Sequence, residues 1–328
     1  MAGTSRCADH PSRSDTYQYA CKSRSEYRIG KMVLHVTFEG CKRHPICHSA
    51  PRQTPGDNSL FRLQSSVFKC PGGDIVKALV TGAAHGLGRA LTEQLLASGH
   101  EVVAVDRDVE PLEKLAMKYR GACLACFADL QKVESIQNLL DRLQGSKFDL
   151  VILNAGISAT GKFEEIPLQA YDRLISVNLG APLHLASRLV GDEWMSAKSK
   201  IVFISSLSHV VGYPGGAVYA ATKDAIASYA HSVAKPFRKK QVSVLTVFPG
   251  PIDTAHAQKH APDQSSRSKR MAPEKLARLI LKASRGRAKT LYPGGKTYLA
   301  ACFGKLFPNQ ATRLMRRGLY DKMTGPSY

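Results

Sequence analysis

The sequence predicts an α/β protein with a doubly wound parallel sheet and a helical C-terminal region. Three observations lead to this prediction. Apolar runs of strand length alternate with helical patterns from residue 75 to about residue 248. The strand runs are continuously apolar, which is typical of parallel strands covered by helices on both faces. A glycine-rich turn joins the first of these strands to the first helix, and right-handed crossovers then give the doubly wound arrangement.

Each element has its own local signal. Short apolar runs that end near turn-forming residues predict strands over 75–82, 100–108, 122–129, 148–156, 199–207 and 241–250. Apolar residues at helical spacing predict helices over 87–99, 111–120, 132–145, 167–194 and 215–237. A helix over 273–287 and a strand over 288–294 complete a Rossmann-type catalytic domain of residues 75–294. Residues 295–328 are expected to form a basic helical extension, and the C-terminal helices a lid over the substrate.

Candidate ligand-binding residues lie where the predicted strands end. The carboxyl ends of parallel strands share one edge of a sheet, and ligands of doubly wound sheets bind beyond that edge. This position is shared by Gly82, Asp106, Asp129, Asn154, Ser206 and Pro249.

The composition is that of a globular chain, with 44% hydrophobic and 22% charged residues among 328. The net charge of +20 is uneven, because residues 255–328 carry 16 Lys and Arg but only 3 Asp and Glu. Residues 75–254 are nearly neutral, with 19 against 17, and show no basic motif interleaved with aromatic residues, which argues against nucleic-acid binding. We find no apolar run of about eighteen residues and no secretory signal pattern, and therefore expect a cytoplasmic protein without a transmembrane helix.

Five of the eight cysteines lie in the first seventy residues, and none of these five forms a CxxC pair. Cys41, Cys47 and His48 could suggest a metal clip, but their spacing matches no standard zinc pattern, so we expect no metal site. Cys123 and Cys126 do form a CxxC, on a predicted strand. Residues i and i+3 of a strand point to opposite faces, which favours two small core residues over a redox centre.

The turn TGAAHGLG supplies Gly82, Gly86 and Gly88. Glycines allow a tight turn, let a pyrophosphate approach the backbone, and place the free N–H groups of a helix N-terminus against the phosphates. Asp106 ends the second strand, where a carboxylate can accept hydrogen bonds from adenosine ribose hydroxyls and repel a 2′-phosphate. This favours NAD over NADP, although the neighbouring Arg107 could receive a 2′-phosphate.

Tyr219 and Lys223 lie four residues apart on one predicted helix and therefore share a face. A free tyrosine titrates near pH ~10, so a nearby ammonium is expected to lower its pKa and stabilise the phenolate. Ser206 ends the fifth strand and could hold a substrate oxygen beside the phenol. Asn178, on the preceding helix, could relay protons through a water. Each of these residue patterns occurs often by chance, so the interpretation depends on finding all of them together in one chain.

In this order the motifs resemble the short-chain dehydrogenase/reductase family. The chain has TGxxxGxG at 81–88, NAG at 154–156, the spacing of Ser206, Tyr219 and Lys223, and PGPIDT at 249–254. These motifs extend over some 180 residues. Leu153 stands where the family often has a second asparagine.

The resemblance implies an NAD(P)-dependent oxidoreductase that acts on an alcohol or carbonyl substrate. The implied catalytic set is Ser206, Tyr219, Lys223 and Asn178. Lys223 would also bind the nicotinamide ribose, Asp129 would touch the adenine, and Thr254 would contact the nicotinamide amide or the phosphates. The implied cofactor-binding set is Thr81, Gly82, Gly86, Leu87, Gly88, Asp106, Arg107, Asp129, Leu130, Asn154, Ala155, Gly156, Tyr219, Lys223, Pro249, Gly250, Ile252 and Thr254.

Residues 1–74 differ in character from the rest, with no sustained helical or strand period and many Ser, Arg, Cys, His and Pro residues. The resembled family starts its first strand near the N-terminus, so we expect this segment to be a disordered or non-native extension, translated from a start codon assigned too early. An organelle transit peptide is the competing interpretation, but Asp9, Asp15, Glu26 and Glu39 argue against it.

The basic C-terminal part leaves two interpretations open. Its cations form either a solvated face of helices that pack on the core, or a surface for an anionic membrane or an acidic partner. An apolar lid with basic flanks would also suit a lipid-like or acyl substrate.

Function and assembly have alternatives as well. A nucleotide-binding regulatory protein with the same fold and little turnover is the alternative class, and the intact set of Ser206, Tyr219 and Lys223 argues against it. The resembled family often forms dimers or tetramers through its two long helices, here around 168–192 and 216–238, so we expect a homo-oligomer.

Overall fold

The computed structural model describes residues 25–29, 32–36, 75–259, 270–318, 320–323 and 325–328. The chain divides into two units, Met1–Asp57 and Asn58–Tyr328. In the first unit, β1 (Ser25–Ile29) and β2 (Met32–Val36) form an antiparallel hairpin. The other residues of the 1–74 segment, including the cysteines and histidine of the rejected metal clip, lie outside the described residues. The expectation of a disordered or non-native extension there stays a prediction.

The second unit is built around a seven-stranded parallel sheet. Its strands are β3 (Lys77–Thr81), β4 (Glu101–Asp106), β5 (Cys123–Phe127), β6 (Phe148–Leu153), β7 (Met195–Ile204), β8 (Ser243–Val247) and β9 (Thr290–Leu291). They lie in the order β5-β4-β3-β6-β7-β8-β9, and every neighbouring pair is parallel. The winding direction reverses between β3 and β6, which is the switch point of a doubly wound sheet. The expected fold class is confirmed.

Helices follow the strands and continue into the C-terminal region as expected. They are α1 (Gly86–Ala97), α2 (Val109–Lys118), α3 (Val133–Leu143), α4 (Leu168–Ile175), α5 (Ala181–Gly191), α6 (Ser208–Val211), α7 (Ala217–Lys239), α8 (Ala255–Lys259), α9 (Pro273–Arg285), α10 (Gly295–Leu306) and α11 (Pro308–Gly318). Within the described part of the chain, no helix combines the length and apolar character needed to cross a membrane.

Two apolar layers cover the sheet, because alternate strand residues point to opposite faces. On β3, Leu79 packs with α3, α5 and α7, whereas Ala78 and Val80 pack with α1, α2 and α9. On β5, Cys126 belongs to the first layer and Cys123 to the second, so the two thiols are buried on opposite faces, as expected. No group of three or more His, Cys, Asp or Glu side chains that could hold a metal ion is found among the described residues.

The predicted helix over 167–194 differs from the observed chain. A π-helical segment, Ser176–Gly180, separates α4 from α5, and α5 ends at Gly191. Pro182 has no N–H to offer the carbonyl of Asn178, which removes one α-helical hydrogen bond at this point. Wider π turns of this kind are frequent at functional sites. A search for apolar periodicity does not detect one extra residue in a turn.

Candidate active site

A cleft of about 560 Å³ opens at the carboxyl edge of the sheet. Fifteen of the predicted cofactor-binding residues line it: Gly82, Gly86, Leu87, Asp106, Arg107, Asp129, Leu130, Asn154, Ala155, Gly156, Tyr219, Lys223, Pro249, Ile252 and Thr254. The predicted residues that do not line it are Thr81, Gly88, Asn178, Ser206 and Gly250. The cleft therefore gathers residues from the ends of several strands, as expected of a doubly wound sheet.

The glycine turn between β3 and α1 forms one end of the cleft. Gly82 has a φ of 68°, and a Cβ there would lie 2.9 Å from the Cα of Ala155. A Cβ on Gly88 would lie 1.9 Å from the carbonyl oxygen of Gly82, so only glycine permits this approach of helix to strand. No side chain caps α1, so the N–H groups of its first turn are available to an anion. This geometry fits a pyrophosphate.

Thr81 acts behind the cleft by joining the ends of β3 and β6. Its buried Oγ1 accepts hydrogen bonds from the backbone N–H groups of Asn154 at 3.0 Å and Ala155 at 3.1 Å. The Asn154 side chain donates in return to the carbonyl oxygen of Thr81 at 2.9 Å. Thr81 and Asn154 thus hold the loop that follows β6 against the end of β3, the strand that leads into the glycine turn.

Asp106 holds the loop at the end of β4. Its Oδ2 accepts from the N–H of Ala84 at 2.9 Å, and its Oδ1 accepts from the N–H of Arg107 at 2.7 Å. Across the cleft mouth, Nε2 of His85 lies 2.8 Å from Oδ2 of Asp108. Two carboxylates and two basic side chains therefore line this end of the cleft.

Ser206, Tyr219 and Lys223 come together beside the cleft, at the end away from the glycine turn. Helix α7 carries the tyrosine and the lysine, while Ser206 follows β7 and forms a hydrogen bond with the Tyr219 hydroxyl. Nζ of Lys223 lies 5.8 Å from the centroid of the Tyr219 ring and donates to the carbonyl oxygen of Ile204 at 3.0 Å. The ammonium is thereby held beside the phenol.

The pKa values of this pair correct one expectation. Burial raises the pKa of Tyr219 to about 12, although its hydrogen bond with Ser206 acts in the opposite direction. Burial also lowers the pKa of Lys223 to about 8. The expectation that Lys223 lowers the pKa of Tyr219 is therefore wrong for the protein alone. Removing the phenolate from water disfavours the charged form, and the hydrogen bond with Ser206 does not offset this effect.

Asn178 lies on the π-helical segment and connects it to the loop after β6. Its Oδ1 accepts from the N–H of Ile157 at 2.8 Å, and its Nδ2 donates to the Ile157 carbonyl oxygen at 2.9 Å. Nδ2 also lies 3.2 Å from Oγ1 of Thr222, on the helix that carries Tyr219. The buried Asn178 side chain thus connects three elements, and its expected role as a proton relay stays a prediction.

Gly156 gives a testable consequence of this packing. A Cβ there would lie 3.2 Å from Nζ of Lys223 and 3.4 Å from Oδ1 of Asn178. We expect Gly156→Ala to reduce the free energy of unfolding by about 1–3 kcal/mol, the usual cost of overpacking. Gly191→Ala is the matched control, because a Cβ there meets nothing within 4 Å. Urea unfolding of the two variants measures the difference, and equal stabilities would contradict the assigned packing.

Tyr213 is a site residue that the sequence analysis did not identify. Its ring meets that of Tyr219 edge to face, with 6.2 Å between centroids. It lies on the loop before α7, where Gly215 leaves room for the side chain of Met323. Ser327 forms a pair of backbone hydrogen bonds with Thr160, so C-terminal residues contact the loops beside the phenol. No period or motif marks such loop contacts.

Residues 76–265, more than half of the chain, match the family model described as short chain dehydrogenase. The NADPH-dependent 1-acyldihydroxyacetone phosphate reductase of Saccharomyces cerevisiae is 33% identical over 177 residues, which are 52% of this chain and 59% of that enzyme. The D-beta-hydroxybutyrate dehydrogenase of Rhizobium meliloti is 28% identical over 197 residues, 57% of this chain and 76% of that enzyme. This chain thus matches less than two thirds of the yeast enzyme's length.

The fold is also similar to that of a solved structure. The short-chain dehydrogenase from Streptomyces avermitilis has a TM-score of 0.62 and 25% identity, and the match covers 75% of this chain and 96% of that one. Both named relatives are oxidoreductases by name. The chain belongs to the short-chain dehydrogenase family.

Proposed function

We propose that this protein is an NAD(P)-dependent oxidoreductase that interconverts an alcohol and a carbonyl compound, with Tyr219 as the acid–base residue. One observation carries the proposal. Ser206, Tyr219 and Lys223 meet beside a cleft whose other end is a glycine turn with an uncapped helix N-terminus. Membership of the short-chain dehydrogenase family and the names of the relatives support it.

The residues of the cleft fit a dinucleotide. The glycine turn would take the pyrophosphate, and Asp106, whose Oδ2 accepts one protein hydrogen bond at 2.9 Å, could accept another from a ribose hydroxyl. Asp129 and Leu130 would lie beside the adenine, and Thr254 beside the nicotinamide amide. A bound nicotinamide supplies a hydride to a carbonyl carbon or accepts one from an alcohol.

The chain's own residues would move the proton. In reduction, the Tyr219 hydroxyl donates its proton to the substrate oxygen; in oxidation, the phenolate takes that proton from the alcohol. Ser206 would hold the same oxygen by a hydrogen bond. The Lys223 ammonium would stabilise the phenolate left behind, which matters because burial disfavours that charge.

We further propose that the protein prefers NAD(H). The Asp106 carboxylate would repel a 2′-phosphate, whereas Arg107 and the NADPH-dependent yeast relative favour the opposite preference. We expect Asp106→Ala to shift the ratio of the NADPH and NADH dissociation constants at least ~10-fold toward NADPH, since removing a like charge is worth about 1–2 kcal/mol near a surface. Asp141→Ala, an exposed acid on α3, should leave the ratio unchanged.

Titration of the purified protein with NADH and NADPH by fluorescence tests both proposals. Binding of either dinucleotide supports the cofactor site, and an NADPH preference in the wild type would overturn the NAD(H) assignment. Turnover would then be sought with hydrophobic alcohols and the corresponding ketones. Binding without turnover on any of them would favour the alternative of a regulatory protein with little activity.

We also propose the class of substrate, the assembly of copies and the cellular compartment. Ile157 and Val177 line the cleft along with Tyr219, which supports a substrate with an apolar, lipid-like or acyl part. Exposed Leu168 and Ile175 on α4 support pairing of copies through the long helices. We keep the cytoplasm as the proposed compartment.

A further inference from the structure

Helix α10 exposes an apolar face that the active site does not use. Its inner side packs on α6, so closely that a Cβ on Gly304 would lie 2.2 Å from the carbonyl oxygen of Val210. On the opposite side Leu299 is 68% exposed and Leu306 is 72% exposed. The large apolar side chains of a helix normally face the core. Within the described part of the chain, the outer face of α10 is therefore apolar and yet left exposed.

The exposed apolar residues form one stripe. Leu299, Phe303 and Leu306 are spaced i, i+4 and i+7, which places them on one face of the helix. Phe307 extends the stripe beyond the helix end, with its ring centroid 5.5 Å from that of Phe303. Exposed apolar side chains scattered singly need no explanation, but a contiguous stripe marks an interaction surface.

Cations accompany this stripe on α10 itself and on α11, which packs against α10. Lys296 and Lys305 are both exposed on α10, and α11 adds exposed Arg313 and Arg317. Between residues 295 and 328 the sequence has six Lys and Arg but only one acid, Asp321. An apolar stripe with cations at its borders is the pattern of a helix that lies in the interface of an anionic membrane.

Two partners could cover this apolar face, a second copy of the chain or a lipid surface, and the charge favours the lipid surface. A second copy of the chain would bring an equally cationic surface against this one, and like charges across an interface are unfavourable. An anionic lipid surface attracts each of these cations and accepts the apolar side chains among its acyl chains.

We propose that the face formed by Leu299, Phe303, Leu306 and Phe307, with the cations of α10 and α11, docks the protein on an anionic lipid surface. The helix lies flat on the lipid and does not cross it. Because α10 packs on α6, which follows Ser206, docking brings the mouth of the candidate active site close to the membrane. The proposal does not depend on turnover.

Vesicle sedimentation of the full chain tests the proposal. We compare vesicles of phosphatidylcholine alone with vesicles of equal parts phosphatidylcholine and phosphatidylserine. The wild type is expected to bind the anionic vesicles at least ~10-fold more strongly, and added salt is expected to weaken that binding. The variants L299S/F303S/L306S and R313Q/R317Q should each lose at least ~10-fold in binding.

Matched variants on other surfaces serve as controls. M117S/F127S/V133S removes exposed apolar side chains elsewhere, and K235Q/R238Q removes two exposed cations of α7. Both should bind like the wild type, and circular dichroism establishes that every variant is folded. Equal binding to the two kinds of vesicle, or no binding, would overturn the proposal. So would a dimer in light scattering that only the L299S/F303S/L306S variant abolishes, since the stripe would then be a self-interface. If the triple variant does not fold, R313Q/R317Q and the comparison of lipids still decide the outcome.

Discussion

Tyr219→Phe is expected to abolish measurable turnover while leaving dinucleotide binding within a few-fold of the wild type. The phenol is the only group of the proposed set that exchanges a proton with the substrate, and losing a positioned acid–base group costs about 10²–10⁴ in rate. The substitution removes one oxygen and keeps the ring, so its packing against Tyr213 is retained. Steady-state kinetics with a ketone and NADH, and fluorescence titration with NADH alone, separate the two effects.

Tyr213→Phe is the matched control. This second phenol lies beside the first, with ring centroids 6.2 Å apart, but forms no part of the proposed proton path. Its removal should change kcat by no more than a few-fold. If Tyr213→Phe abolished turnover and Tyr219→Phe did not, the acid–base role would move to Tyr213 and the assignment of Tyr219 would be wrong.

Carbonyl reduction is expected to slow as the pH rises through about 8, because burial lowers the pKa of Lys223 to about 8. Above that pH the ammonium loses the proton and the charge that would stabilise the developing Tyr219 phenolate. Burial raises the pKa of Tyr219 to about 12, so the tyrosine keeps its own proton throughout this range. A decline between pH 8 and 10 in kcat/KM therefore reports Lys223, and Lys223→Arg, which stays charged, should not show it.

The stability of the protein gives a readout of the same group that needs no substrate. Between pH 8 and 10 the unfolded chain, in which the lysine pKa has its ordinary value of 10.5, binds more protons at this position than the folded chain does. The free energy of unfolding should therefore rise with pH relative to Lys223→Met, by up to about 3 kcal/mol. The opposite contribution of Tyr219, which begins above pH ~10, is present in both proteins and cancels. A difference that does not change with pH would contradict the assigned burial of the lysine.

Much of the site follows from the sequence because its parts depend on local geometry. Gly82 and Gly88 are needed where a strand turns sharply into a helix, and a spacing of four places Tyr219 and Lys223 on one helical face. Continuous apolar runs predict the parallel strands, and the residues at their ends collect at one edge of the sheet. These relations involve few residues each, so their signals survive in a single sequence.

Only the tertiary structure decided the features that depend on many neighbours at once. The high pKa of Tyr219 arises from the desolvation of a phenolate by several elements, and no spacing encodes it. The π turn at Asn178, the edge-to-face contact of Tyr213 and the uncovered outer face of α10 likewise depend on what packs against each segment. The order of elements was therefore readable from the chain, and so was the set of residues that the cleft brings together. Their protonation energies and the surfaces left exposed are set by three-dimensional burial.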